Sequence, residues 1–235
     1  MDANKIKEKA NDYYITIELI ENKNYEKSKK YLTDLLNCHG LAIGILHELI
    51  TKNLMVPGET DTKINDMLIQ ISVFYQGICE CDKVIRNGQY NIAAAIVRQE
   101  YEIICNLTEI EKGLHKRGKT PNAKNGLPGF GKYYGELSLL THLIEDDWHY
   151  LYKKLHNQPE DNIKPISLIP IFDKEMCINL YGMHIYFILC IIFRLQDLFK
   201  KMYEKEFMSD EITKAREMIL RVLLDRKIIR YDDNQ

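Results

Sequence analysis

The sequence lacks several features that would each point to a particular class of protein. It has no alternating apolar run that predicts a β-strand and no internal repeat that predicts a solenoid. Its six cysteines have no framework spacing, which favours reduced thiols in the cytoplasm over a disulfide-stapled secreted domain. The polar N-terminus contains no apolar stretch of signal-peptide length. A formal net charge of −2 excludes a general electrostatic attraction to nucleic acid, although not a local basic patch.

What the sequence does contain is helical periodicity. Between Asp61 and Gly113, apolar residues recur three and four positions apart in two long runs that meet at Asn87 and Gly88. An Asn-Gly pair ends a helix because glycine adopts the left-handed backbone conformation without steric cost. We therefore predict an all-α fold, a single bundle of six to seven helices centred on this long antiparallel hairpin.

The residues that precede the hairpin predict further helices. A first helix over Lys5–Glu21 is expected to turn Tyr13 and Tyr14 toward the interior and to end at Asn22-Lys23-Asn24. The segment after that break has apolar residues at helical spacing again. The predicted organisation is residues 1–55 as an appended module of N-terminal helices and residues 56–235 as the main helical bundle.

One segment is apolar enough to require a membrane test. Residues 177–193 contain no Asp, Glu, Lys or Arg, which is close to the minimum length of a spanning helix. The segment also holds Asn179 and His184, and an amphipathic stretch follows it directly. A central helix buried on most sides explains this composition, so we predict a core helix capped by Asp173 and no membrane span.

A charged pair interrupts the apolar pattern of the second hairpin helix. Arg98 and Glu102 are one turn apart, and Ala94, Ala95 and Cys105 on the same face are small and apolar. An exposed salt bridge is one interpretation, and such a pair contributes little to stability. The other interpretation is a polar cleft or a seam between two helices, in which Arg98 and Glu102 are site residues.

A later predicted helix, over residues 132–156, carries two histidines and two acids on one face. His142, Glu145, Asp146 and His149 fall at i, i+3, i+4 and i+7. This face is a solvent-exposed polar surface, a divalent-metal site or an acid–base site. A metal site usually needs a third protein ligand from elsewhere, so we assign no metal ligand and no cofactor. His142 and His149 are the candidate catalytic residues.

The longest irregular stretch, Gly113–Gly131, is rich in glycine, proline and cations. It is either a solvated surface loop or a binding loop, because cations contact phosphates while aromatic faces stack on bases. Residues 113–120 also match the phosphate-loop pattern, but that chemistry needs a strand before the loop and a helix after it. The candidate RNA-binding residues are Lys116, Arg117, Lys119, Lys124, Lys132 and Tyr133.

Two stretches together carry a resemblance to a known group of proteins. Residues 91–107 read NIAAAIVRQEYEIICNL, and residues 134–142, which follow the glycine-rich loop, read YGELSLLTH. Over roughly Ile64 to Phe199 the chain resembles bacterial all-helical proteins related to HEPN domains and to abortive-infection proteins of the AbiV type. The resemblance implies a helical bundle that forms a homo-oligomer, typically a dimer, and acts in antiviral defence or stress response.

The same resemblance implies a function in RNA binding or RNA cleavage. Many HEPN proteins are metal-independent endoribonucleases of the toxin type, whose signature is an arginine followed four to six residues later by histidine. That signature does not occur in this sequence. The expectation is therefore a protein that binds RNA or a partner protein at a polar cleft around Arg98, Glu102 and His142. The alternatives are an endoribonuclease that uses the same residues and a non-catalytic interaction or antitoxin subunit.

Overall fold

The computed structural model describes residues 3–53, 58–142, 169–205, 207 and 209–229. These residues form seven α-helices and one short 3₁₀-helix at Ala123–Asn125, and none of them lies in a β-strand. The predicted all-α bundle is therefore confirmed. The helices are α1 (Ala3–Tyr31), α2 (Thr33–Asn53), α3 (Thr62–Arg86), α4 (Tyr90–Lys112), α5 (Gly131–His142), α6 (Lys174–Tyr203) and α7 (Asp210–Asp225).

Helices α3 and α4 form the predicted hairpin, with the local chemistry that the sequence indicates. The Asp61 carboxylate accepts a hydrogen bond from the backbone N–H of Ile64 at 2.6 Å, which caps the start of α3. Gly88 at the corner has φ of +80°, in the region that favours glycine. The two helices then pack along their length. That the hairpin is the centre of the bundle stays a prediction.

The hairpin corner gives a first testable prediction. A Cβ atom at Gly88 would lie 2.9 Å from Asn24 Nδ2 and 3.0 Å from the carbonyl oxygen of Ile171, whereas a Cβ at Gly129, also at positive φ, meets nothing within 4 Å. We expect Gly88→Ala to lower the free energy of unfolding by about 3 kcal/mol and Gly129→Ala by about 1 kcal/mol. Urea unfolding of the wild type and both variants measures these changes in the free energy of unfolding. Equal losses would contradict close packing at the corner.

Helix α6 supplies much of the hydrophobic core. The Asp173 carboxylate accepts from the Met176 N–H at 2.9 Å and caps the helix, as predicted. Within the described residues, α6 is the one helix long and apolar enough to cross a membrane, and 67% of its most apolar window is buried inside the protein. It packs against α2, α3 and α4. This burial fits the core helix of a soluble protein.

The N-terminal helices differ from the prediction. Helix α1 runs without a break through Asn24, so the predicted end at residues 22–24 is wrong. The buried Asn24 amide instead donates to the carbonyl oxygens of Asn87 and Pro170, at 3.0 and 3.2 Å. Tyr13 and Tyr14 are exposed, which contradicts their expected burial, because this part of α1 extends beyond the core.

Helix α2 belongs to the same hydrophobic core as the helices that follow it. Leu35 and Leu46 are fully buried, and α2 packs against both α6 and α7. These contacts extend the core across residue 55. The division into an appended module and a main bundle stays a prediction.

Candidate functional site

The predicted pair of Arg98 and Glu102 lies at the seam between α4 and α5. Arg98 Nε donates to Glu102 Oε1 at 3.0 Å, within one turn of α4. Arg98 Nη1 donates to Thr141 Oγ1 at 3.0 Å and Arg98 Nη2 to Tyr134 Oη at 3.3 Å, so the guanidinium also reaches two residues of α5. The Arg98 and Glu102 side chains are 20% and 24% exposed. The pair therefore lies in a partly enclosed seam rather than in open solvent.

Tyr134 completes this cluster from α5. Its hydroxyl donates to Glu102 Oε1 at 2.8 Å, and its ring centre lies 5.3 Å from the Arg98 guanidinium carbon. Burial and the bond to Glu102 raise the pKa of Tyr134, so the phenol keeps its proton. Burial opposes the charge on Arg98, but the bonds to Tyr134 and Glu102 outweigh it and raise its pKa. We name Arg98, Glu102, Tyr134 and Thr141 the seam cluster.

The structure bears only in part on the predicted histidines. His142 is the last residue of α5, directly after Thr141, so its backbone lies one residue from a contact of Arg98. The side chain of His142 is not among the parts of the chain that the structure describes. Glu145, Asp146 and His149 lie outside the described residues altogether. The acid–base and metal interpretations of that helix face therefore stay predictions.

The segment between α4 and α5 is anchored to α4. The buried Glu109 carboxylate accepts from the backbone N–H of Asn122 and from Asn125 Nδ2, both at 2.8 Å. Tyr101 donates its hydroxyl to the carbonyl oxygen of Ala123 at 2.8 Å. The predicted irregular stretch is confirmed apart from the single turn of 3₁₀-helix. Its middle portion is thus held in place by buried side chains of α4.

The cations of this segment point to solvent. Residues 113–135 contain five Lys or Arg and no Asp or Glu, while the whole chain has a net charge of −2. We name residues 113–135 the basic segment. Tyr133 is half-buried, with its ring centre 5.3 Å from that of Phe130. The exposed cations are Lys116, Arg117, Lys119, Lys124 and Lys132.

Aromatic packing connects the loop residue Phe130 to Tyr134, which belongs to both the basic segment and the seam cluster. The Tyr101 ring lies 5.8 Å from the rings of both Phe130 and Tyr134, measured between ring centres. Tyr101 is 1% exposed, so its position is fixed by the core. One buried tyrosine of α4 therefore contacts a loop residue of the basic segment and a member of the seam cluster.

A second polar group, deep in the core, was not predicted as a site. Glu100 of α4 and His184 of α6 are 3% and 0% exposed, and His184 Nδ1 lies 2.8 Å from Glu100 Oε1. Cys81 of α3 is beside them, and the ring of His39 on α2 lies against that of His184, with ring centres 5.3 Å apart and the planes inclined at 40°. Burial and the nearby His184 lower the pKa of His39 to about 4. The sequence signal was an acid within the apolar stripe of α4.

Comparison of the chain with protein-family models, with curated proteins and with solved structures returns no match. The functional argument therefore depends on the geometry of the described residues and on the resemblance noted in the sequence.

Proposed function

We propose that this chain is a HEPN-like helical protein of bacterial defence or stress response that binds RNA through its basic segment. The observation that carries the proposal is the set of five exposed cations without an intervening acid, of which four lie on a loop anchored to α4 and Lys132 lies in the first turn of α5. The proposal includes a cytoplasmic location, which the cysteine pattern favours, and a homo-oligomer, which the resemblance implies. It also makes the seam cluster one wall of the RNA-binding surface.

Electrostatics supports RNA as the ligand. Lys and Arg side chains that neutralise phosphates release counterions, and this release supplies most of the affinity of sequence-independent binding. Screening limits each charge to a range of about 8 to 10 Å at physiological ionic strength, so the local charge outweighs the net charge of the chain. The anchored loop also reduces the conformational entropy that a mobile loop would lose on binding.

A charge-matched pair of variants tests the proposal. We expect the triple variant Lys116→Ala/Arg117→Ala/Lys119→Ala to bind labelled single-stranded RNA about tenfold more weakly than the wild type at 100 mM salt. The control removes three exposed cations of α1, by Lys5→Ala/Lys7→Ala/Lys9→Ala, and is expected to keep wild-type affinity. Fluorescence anisotropy gives both dissociation constants.

Two outcomes would contradict the proposal. Equal weakening by both triple variants would mean that RNA follows overall charge and does not use the basic segment. An absence of RNA binding by the wild type would favour the alternative of an interaction or antitoxin subunit, which binds a partner protein.

A specific observation favours endoribonuclease activity as a second candidate function. The contact of Arg98 with Thr141 brings the guanidinium to the end of α5, where His142 follows. In this proposal Arg98 binds the scissile phosphate and Glu102 holds the guanidinium. His142, with His149 as a second candidate, moves the proton. No bound metal is required for that chemistry.

A further inference from the structure

Three helices of the core each contribute one side chain of a type that can bind a metal ion, and the three side chains lie together. Cys81 comes from α3, Glu100 from α4 and His184 from α6, and all three are buried. Their sulfur, oxygen and nitrogen donor atoms lie within 4.8 Å of one another. This grouping is remote in sequence, so it arises from the packing of the bundle and not from a local motif.

Three buried side-chain oxygen or nitrogen atoms at this position have no hydrogen-bond partner among the described residues. They are Glu100 Oε2 and His184 Nε2, together with Nε2 of the adjacent His39. A buried polar atom without a partner is destabilising, and native proteins contain few of them. Unpaired polar atoms on three neighbouring side chains therefore need a physical explanation.

A purely structural ion pair explains the group poorly. Replacing a buried charged pair by apolar residues of similar volume is often neutral or stabilising, so such a pair is weak support for a core. The contact between His184 Nδ1 and Glu100 Oε1 uses only one of the two nitrogens of His184 and one of the two carboxylate oxygens of Glu100. The thiol of Cys81, which also interacts with Glu100, adds a third potential ligand at the same position.

We propose that Cys81, Glu100 and His184 bind one zinc ion, or a divalent ion of similar softness, inside the bundle. Zinc takes thiolate, imidazole and carboxylate ligands at about 2.0 to 2.3 Å. Two ligand atoms of a tetrahedral site are then roughly 3.3 to 3.8 Å apart. The sulfur, oxygen and nitrogen atoms of the three side chains, all within 4.8 Å of one another, are already close to this spacing.

The proton balance of binding follows from the ligand chemistry. Zinc binds the thiolate form of cysteine, so Cys81 gives up its thiol proton when the ion binds. The ion replaces this proton, and the proton is released to solvent. His39, whose ring centre lies 5.3 Å from that of His184, is adjacent to this group of three ligands. An enclosed site of this kind ties helices together and is independent of the RNA proposal.

Metal binding by the full-length protein tests this inference. After treatment with a chelator, we expect the protein to bind one Zn²⁺ per chain and its melting temperature to rise by about 5 °C at saturating metal. Cobalt added in place of zinc is expected to give a near-ultraviolet thiolate-to-cobalt absorption band. The exposed Cys79 provides the matched control for Cys81. Cys81→Ser should abolish the band, and Cys79→Ser should leave it unchanged.

Glu100→Gln provides a second variant if Cys81→Ser does not fold, and it should weaken zinc binding at least tenfold because it removes an anionic ligand. Three results would overturn the proposal. These are a wild-type melting temperature that zinc does not change, a cobalt band that survives in Cys81→Ser, and a band that Cys79→Ser removes equally. The last two would show that a thiol other than Cys81 binds the metal.

Discussion

Glu100→Ala is expected to lower the free energy of unfolding by about 3 to 5 kcal/mol. Glu100 is 3% exposed, and its carboxylate is the partner of His184 Nδ1 at 2.8 Å. Its removal leaves an imidazole nitrogen in the core without a partner and opens a cavity between α4 and α6. Removing one member of a buried pair costs far more than the net contribution of the pair itself.

Urea unfolding in the presence of a chelator measures this loss on the metal-free protein. Glu102→Ala is the matched control, because Glu102 is also a glutamate of α4 but its side chain is 24% exposed and pairs with Arg98. We expect that control to cost about 1 kcal/mol or less. A double replacement of Glu100 and His184 by leucine should recover most of the loss. A cost below about 1 kcal/mol for Glu100→Ala would contradict the buried pairing.

Arg98→Ala is expected to reduce RNA cleavage by two to three orders of magnitude under the endoribonuclease proposal. This is the typical loss when one preorganised donor to a developing charge is removed. Arg98→Lys should not restore the activity, because Glu102, Thr141 and Tyr134 are each bonded by a different nitrogen of the guanidinium, and one ammonium nitrogen cannot occupy all three positions. The expected loss thus follows from the forked geometry as well as from the charge.

Cleavage of labelled single-stranded RNA in chelator, followed on gels, gives the rates. Arg194→Ala is the control, since Arg194 is also partly buried and bonds to Glu111 and Thr108 across α6 and α4. We expect that variant to keep wild-type activity. Cleavage that Arg98→Ala leaves unchanged would remove Arg98 from the catalytic site, and the same test with His142→Ala examines the proton-transfer role.

The helices were predictable where local chemistry decides the structure. Apolar spacing and the cap at Asp173 depend on near neighbours in sequence, and these predictions are confirmed. The predicted break at residues 22–24 is wrong because Asn24 bonds to carbonyl groups 63 and 146 residues away. A polar side chain that usually weakens a helix is here used for a tertiary contact, which sequence spacing does not reveal.

The candidate site was predictable to a similar extent. The i, i+4 spacing of Arg98 and Glu102 predicts their pairing, and the structure contains it. Tyr134 and Thr141 join them through contacts 36 and 43 residues apart in sequence, which depend on how α5 packs on α4. The group around Glu100 was missed for the same reason, because its partners lie on other helices.

The salt dependence of RNA affinity tests most directly whether the basic segment binds RNA. Each phosphate contact to a single strand contributes about −0.7 to the slope of log affinity against log salt concentration. We predict that Lys116→Ala/Arg117→Ala/Lys119→Ala makes this slope about 2 units shallower than that of the wild type, whereas Lys5→Ala/Lys7→Ala/Lys9→Ala leaves it unchanged. A slope that is the same for the wild type and the basic-segment variant would contradict binding at residues 113–135.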